Sequence, residues 1–158
     1  MKTGFERARE LLREYSQLVG LTGDDRLEFD AEDSVEIAVG DDTIVNLAYR
    51  RATDTLVCWA LVGELPDTVD EAEAMLHLLE RGANAGEGLG YVVSLEPDSY
   101  RLVAHDFRPL VAFANREALG AWIQACLANV RGVRDRFGMT LPEVAYESDG
   151  DSFSPERR

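Results

Sequence analysis

Apolar side chains recur at three- and four-residue steps near the start of the chain: Phe5, Ala8, Leu11, Leu12, Tyr15, Leu18 and Val19. Arg7, Glu10, Arg13 and Glu14 lie mostly between them. This period is that of an α-helix with one apolar stripe, so the spacing predicts a helix over 3–19. Gly20 follows the last periodic residue and suits the left-handed position that closes a helix. The period then changes to two. Val35, Ile37 and Val39 alternate with Glu36 and Ala38, and Val45, Leu47 and Tyr49 alternate with Asn46, Ala48 and Arg50. Residues 56–62 are apolar throughout. These read as three strands joined by tight turns at 40–42 and 51–54, an antiparallel meander. With two apolar faces, the third strand is expected to be covered on both, by helices or by another subunit.

Pro66 breaks this pattern, and Thr68-Val-Asp-Glu71 has the form of a capping box opening a second helix to about Arg81. Ala72, Met75, Leu76 and Leu79 form its stripe. A glycine-rich passage leads to a fourth strand over 89–95, and a turn at 96–99 leads to a fifth over 100–105, with Pro109 as an interruption. Asn115 caps a long third helix to Phe137, with Leu119, Trp122, Ile123, Cys126, Leu127, Val130 and Val133 inward, and Gly138 ends it. Residues 139–158 lose periodicity and gain Ser, Asp, Glu and Pro, the composition of a mobile acidic tail. The order is helix, three-strand antiparallel meander, helix, two strands, helix: a single α+β domain over 1–138.

Composition supports one globular domain, with 158 residues of which 46% are hydrophobic and 29% charged. The longest apolar run, Thr55–Val62, is far short of the ~18 residues of a membrane span, and no apolar leader follows Met1. A cytoplasmic protein is expected. The formal net charge is −14, and 22–42 alone carries nine acids against one base. Without a basic stripe, such a chain is repelled by nucleic acid and anionic membranes, so neither is an expected partner.

Candidate chemistry is sparse. Gly86-Glu-Gly88-Leu-Gly90 precedes a strand, whereas phosphate-binding glycine loops aim a helix N-terminus at their ligand. His77 and His105 lack a Cys or second His at ligand spacing. Asp106 beside His105 points to the opposite face if both lie in a strand. Ser94 and Ser99 have no nucleophile-elbow context. Cys58 and Cys126 sit on apolar faces and read as small buried hydrophobes. The paired acids near 24, 32 and 41 lack the central glycine of an EF-hand loop and read as solvated turns. No catalytic residue, no metal and no cofactor, neither ATP nor zinc, is expected.

The order of several local sequences resembles one family. They are the first helix, Leu56-Val-Cys-Trp-Ala-Leu-Val-Gly-Glu-Leu-Pro66, the helix end Leu78-Leu-Glu-Arg-Gly-Ala-Asn-Ala-Gly-Glu-Gly88, Val93-Ser-Leu-Glu-Pro-Asp98 and Tyr100-Arg-Leu-Val103. From about Phe5 to Phe137 the chain resembles the small acidic type III secretion chaperones of Gram-negative bacteria, the Tir-chaperone or CesT-like family. The resemblance implies a homodimer that binds the N-terminal segment of a secreted effector, keeps it secretion-competent and passes it to the export machinery. It implies a subunit interface on the second helix and fourth strand, for which Met75, Leu76, Leu79, Tyr91, Val93 and Leu95 are the candidates. Client contacts are expected on the exposed side of the first helix at Phe5, Leu12 and Tyr15, and on the sheet at Val45 and Leu47. The alternatives are a YbjN-like regulatory or sensory domain of the same fold and, from another class, an enzyme.

Overall fold

The structure, a computed structural model, describes residues 1–83, 90–96 and 98–139. The first apolar stripe forms α1, Gly4–Leu18. Its N-terminus is closed reciprocally: Thr3 Oγ1 accepts from the Glu6 amide at 3.2 Å, and the Glu6 carboxylate accepts from the Thr3 amide at 2.7 Å. Gly20, at φ +79°, takes the left-handed position after the helix, as its place in the sequence predicts.

The strands are β1 Ser34–Val39, β2 Thr43–Arg50, β3 Thr55–Glu64, β4 Val92–Leu95 and β5 Arg101–Pro109. Helix α2 spans Glu71–Ala83 and α3 spans Arg116–Phe137. All pairings are antiparallel, and the sheet order is β1-β2-β3-β5-β4. The expected α+β succession of elements is therefore present. The last two strands enter in reverse: β5 pairs with β3, and β4 forms the outer edge.

Two local expectations are corrected. Thr68 does not cap α2; Asp70 does, its Oδ1 accepting from the Glu73 amide at 2.9 Å. A short Asx side chain directly before the first turn reaches that amide, whereas Thr68 lies two residues too early. Pro109 does not cut β5 short at 105. It is the strand's last residue, paired with Thr55, where a missing N–H does no harm. Within this chain, the described elements cover one face of β3. Leu56, Cys58, Ala60 and Val62 are buried, while Val57 and Trp59 are half-buried and Leu61 is exposed.

The buried face of the sheet carries Ile37, Val45, Leu47, Leu102 and Ala104 beside those β3 residues. Helix α3 lies across it with Leu119, Ile123, Cys126, Val130 and Val133 inward, and α1 packs on α3. Each such aliphatic side chain contributes roughly 1.5–3 kcal/mol by leaving water. Cys58 and Cys126 are free thiols buried in this layer.

At the end of β3 the register with β5 shifts between Leu61 and Gly63. A bulge leaves backbone carbonyls without ladder partners. Arg134 of α3 meets them: Nε donates to Val62 O at 2.7 Å and Nη2 to Leu61 O at 3.3 Å, while Nη1 donates to Thr43 Oγ1 at 3.2 Å. Arg134→Met keeps most of the apolar stem but orphans those oxygens. It is expected to cost about 2–4 kcal/mol in denaturant unfolding. A loss within ~0.5 kcal/mol, the range of a neutral surface change, would show that the bulge does not depend on this guanidinium.

Candidate functional site

Strand alternation divides the sheet into a packed face and a bare one. The bare face is made by the outward residues of β2, β3, β5 and β4. Ile44, Leu61, Val92 and Phe107 are exposed there, Phe107 to 70%. Val57, Trp59 and Val103 are half-buried between them. No element of the described residues lies over this face, where these apolar side chains are interspersed with Asn46, Ser94 and His105. An exposed apolar surface of this continuity marks an interaction site.

A second bare patch lies on α2. Ala74 and Leu78 are buried, leaving Met75, Leu76 and Leu79 exposed, the last to 67%. Since α2 packs along β4, this patch adjoins the sheet edge. A third is a groove of about 300 Å³ between the C-terminal half of α1 and the start of α3. Tyr15, Leu18, Val19, Glu117, Gly120, Ala121 and Gln124 line it. Leu18 and Val19 are each almost half exposed.

The structure sorts the expected contact residues differently from their sequence positions. Leu12, Tyr15, Val45 and Leu47, expected at the surface, are core residues with at most 3% exposure. The stripe of α1 is buried at its centre, so the outward side belongs to Leu18 and Val19 at the helix end. Val45 and Leu47 are on the packed face of β2, and the outward position is Ile44. Phe5 alone of the five is half-buried. Its ring is covered by the Arg51 guanidinium at 3.9 Å from the centroid and flanked by Tyr49 and Phe29. Arg51 is itself held by Asp33, whose carboxyl this hydrogen-bonded partner keeps below the usual range.

Tyr91, just before β4, and Val93 on it are likewise turned inward, Tyr91 donating its hydroxyl to Trp122 O at 2.9 Å. Leu95 is half-buried and packed against the core. Tyr91 and Val93 are the more apolar of the alternating positions over 91–94, and the core takes them. The outward residues of β4 are Val92 and Ser94. Sequence reasoning passed over Val92, and it passed over Phe107 because the fifth strand was ended too early. Met75, Leu76 and Leu79 are where an exposed patch was expected.

Polar chemistry on these surfaces is slight. His105 and Asp106 point to opposite faces, as adjacent strand residues must. Asp106 accepts from Trp122 Nε1 at 2.8 Å and from Arg108 Nε at 3.0 Å on the packed face. His105 Nε2 lies 3.2 Å from Ser94 Oγ on the bare face, with no carboxylate bonded to the ring. The Cys126 thiol is pushed up, first by its hydrogen bond with Cys58 and then by burial, which makes it a poor nucleophile. Among the described residues no group of three or more His, Cys, Asp or Glu is placed to hold a metal ion. No described helix is long and apolar enough to cross a membrane. The glycine-rich positions 86–89 and the expected tail from 140 onward lie outside the described residues.

The chain was compared with known proteins. The model of the Tir chaperone protein (CesT) family matches residues 10–134. The fold is similar to that in the HopA1–SchA chaperone–effector complex, with TM-score 0.69 and 18% identity over 85% of this chain and 98% of the other. It is similar to the Yersinia pestis type III secretion chaperone SycH, solved with a fragment of YscM2, with TM-score 0.64 and 14% identity over 79% and 98% of the two chains. YbjN from E. coli matches with TM-score 0.52 and 11% identity over 84% and 95%. No curated protein sequence matches the chain.

Proposed function

Since the chain belongs to the Tir chaperone protein (CesT) family, we propose that it is a cytoplasmic type III secretion chaperone. In this reading it is a homodimer without enzymatic activity that holds the N-terminal segment of a secreted effector in an export-competent state. The family match carries the proposal, and the bare apolar sheet face gives it a physical means. An extended client laid on that face exchanges water for side-chain contact without folding its own core. The strong negative charge of the chaperone keeps the complex dispersed.

Two surfaces suit the client: the sheet face around Ile44, Trp59 and Leu61, and the groove at Leu18 and Val19. Of the contacts named from sequence, Phe5 remains accessible under its Arg51 cover. The dimer is assigned to Met75, Leu76 and Leu79 of α2, continued by the outward side of β4 at Val92, with Leu95 at its margin. Tyr91 and Val93 support that surface from beneath.

The test is removal of the protein from its bacterium. One secreted protein, or a few, should fall in the culture medium while their transcripts stay constant. The same proteins should be retained by the tagged chaperone and released when their N-terminal segment is deleted. A change in transcripts with no retained secreted protein would instead favour the regulatory reading to which the likeness with YbjN points.

A further inference from the structure

Among the described residues, three other than glycine have a positive φ, and two of them hold one cluster. Asp33, at φ +58°, and Asp54, at φ +51°, occupy the left-handed region that side chains seldom enter. Asp33 binds the Arg51 guanidinium along its edge, Oδ1 accepting from Nη2 at 2.8 Å and Oδ2 from Nε. Asp54 Oδ1 accepts from the Tyr49 hydroxyl. The Tyr49 amide in turn donates to the Asp33 carbonyl at 2.9 Å, which ties both aspartates to β2. Left-handed residues kept at one place mark a geometry that its surroundings enforce.

What the cluster holds is a flat cation with one free side. The Phe5 ring is backed by Tyr49 and Phe29, with centroids 5.7 and 6.0 Å away, and carries the guanidinium 3.9 Å from its own centroid. Asp33, whose side chain is only 15% exposed, takes one edge. The Arg51 side chain is still 62% exposed, so the face turned away from Phe5 is open to water. Charge and shape decide what fits there. A carboxylate would meet a cation already paired with Asp33, in a chain of net charge −14. An aliphatic side chain would cover the cation with nothing to offset its lost hydration. An aromatic ring needs no free donor: its π-face attracts the flat cation and leaves the edge contacts with Asp33 unbroken.

We propose that the outer face of the Arg51 guanidinium is a binding site for one aromatic side chain of the client, which completes a stack of ring, guanidinium and ring on Phe5. This rests on the chaperone reading above and adds to it a chemical requirement on the segment that is held. Asp33 and Phe5 act as positioning residues, since they fix the plane of the cation before the client arrives.

Titration of the isotope-labelled full chain with N-acetyltryptophanamide, followed by amide NMR, tests the site without a client. The expected result is a saturable shift at Asp33, Arg51 and Ala52, with half-saturation at about 1–20 mM. Arg9→Gln, which removes a guanidinium 5.9 Å from the same ring, should respond as the wild type does. N-acetylleucinamide and acetate should leave these amides unmoved. Arg51→Lys keeps the charge and loses the plane, and Arg51→Gln loses both. Each should weaken the response at least ~5-fold while circular dichroism shows the wild-type fold. No saturable shift at these amides, an equal response to acetate or the leucine amide, or an undiminished one in Arg51→Lys overturns the site. The chaperone reading stands or falls separately, on secretion and retention of an effector. With that effector in hand, changing each aromatic residue of its retained segment to leucine should find one whose loss weakens retention at least ~5-fold. If none does, the client does not use the Arg51 face and the proposal fails.

Discussion

Leu12→Asp will yield no folded protein at neutral pH, whereas Leu79→Asp will fold normally and sediment as a monomer. Both residues are leucines on the apolar stripe of an amphipathic helix, and their surroundings separate them. Leu12 is 1% exposed within the main core cluster. Truncating such a leucine to alanine already costs about 2–5 kcal/mol, and a carboxylate there adds the penalty of an unpaired buried charge. That exceeds the lower part of the ~5–15 kcal/mol by which a domain is stable. Leu79 is mostly solvent-facing on α2, so a charge there costs the isolated subunit little. In the proposed dimer it would place two carboxylates in an apolar contact. Circular dichroism with sedimentation reads both outcomes. A folded Leu12→Asp protein would contradict its placement in the core, and a dimeric Leu79→Asp protein would remove α2 from the interface.

Trp122→Ala is expected to cost about 3–5 kcal/mol, the largest loss from any single truncation in the helical layer. The indole is 2% exposed and joins three elements. Its ring centroid lies 4.9 Å from that of Phe113 and 6.1 Å from that of Tyr91. Nε1 donates to Asp106 of β5, and the Trp122 carbonyl accepts from the Tyr91 hydroxyl. Trp122→Phe separates the contributions. It retains most of the apolar contact but leaves the Asp106 carboxylate with Arg108 as its partner, so a smaller loss of about 1–3 kcal/mol is expected. Chemical denaturation of both variants measures the difference. Equal losses would mean that the indole N–H, not the ring volume, holds α3 to β5.

The elements with a single clear period were legible. Helix α1 and strands β1 and β2 follow from spacing alone, because each has one strongly apolar side and a glycine or Asx turn at an end, and β3 follows from its unbroken apolar run. The glycine at 20 and the asparagine at 115 mark real helix ends for the same local reason, Asn115 Oδ1 accepting from the Ala118 amide at 2.9 Å. What spacing could not rank was depth within an apolar set. Phe5, Leu12, Tyr15, Leu18 and Val19 share one stripe, and only the position of α3 decides that Leu12 and Tyr15 are covered while Leu18 and Val19 remain open. On β3 both faces are apolar, so period two gives no preference, and the covered face depends on where α3 crosses. The order β3-β5-β4 is equally non-local. It follows from a strand pairing across the whole length of α2, for which no turn motif exists.

That order also ranks the parts of the fold by their resistance to opening. Strand β4 is four residues long and has a strand neighbour on one side only. It pairs with β5 through a short hairpin, and that hairpin joins the rest of the sheet only through the β3–β5 pairing, which closes a loop across α2. Amide protons there are expected to exchange through small excursions that leave β2 and β3 intact. A second copy resting on Val92 and on the adjoining α2 would therefore order the least durable edge of its neighbour. Association and local order would then be one equilibrium, in which dilution loosens the β4 margin and self-assembly seals it.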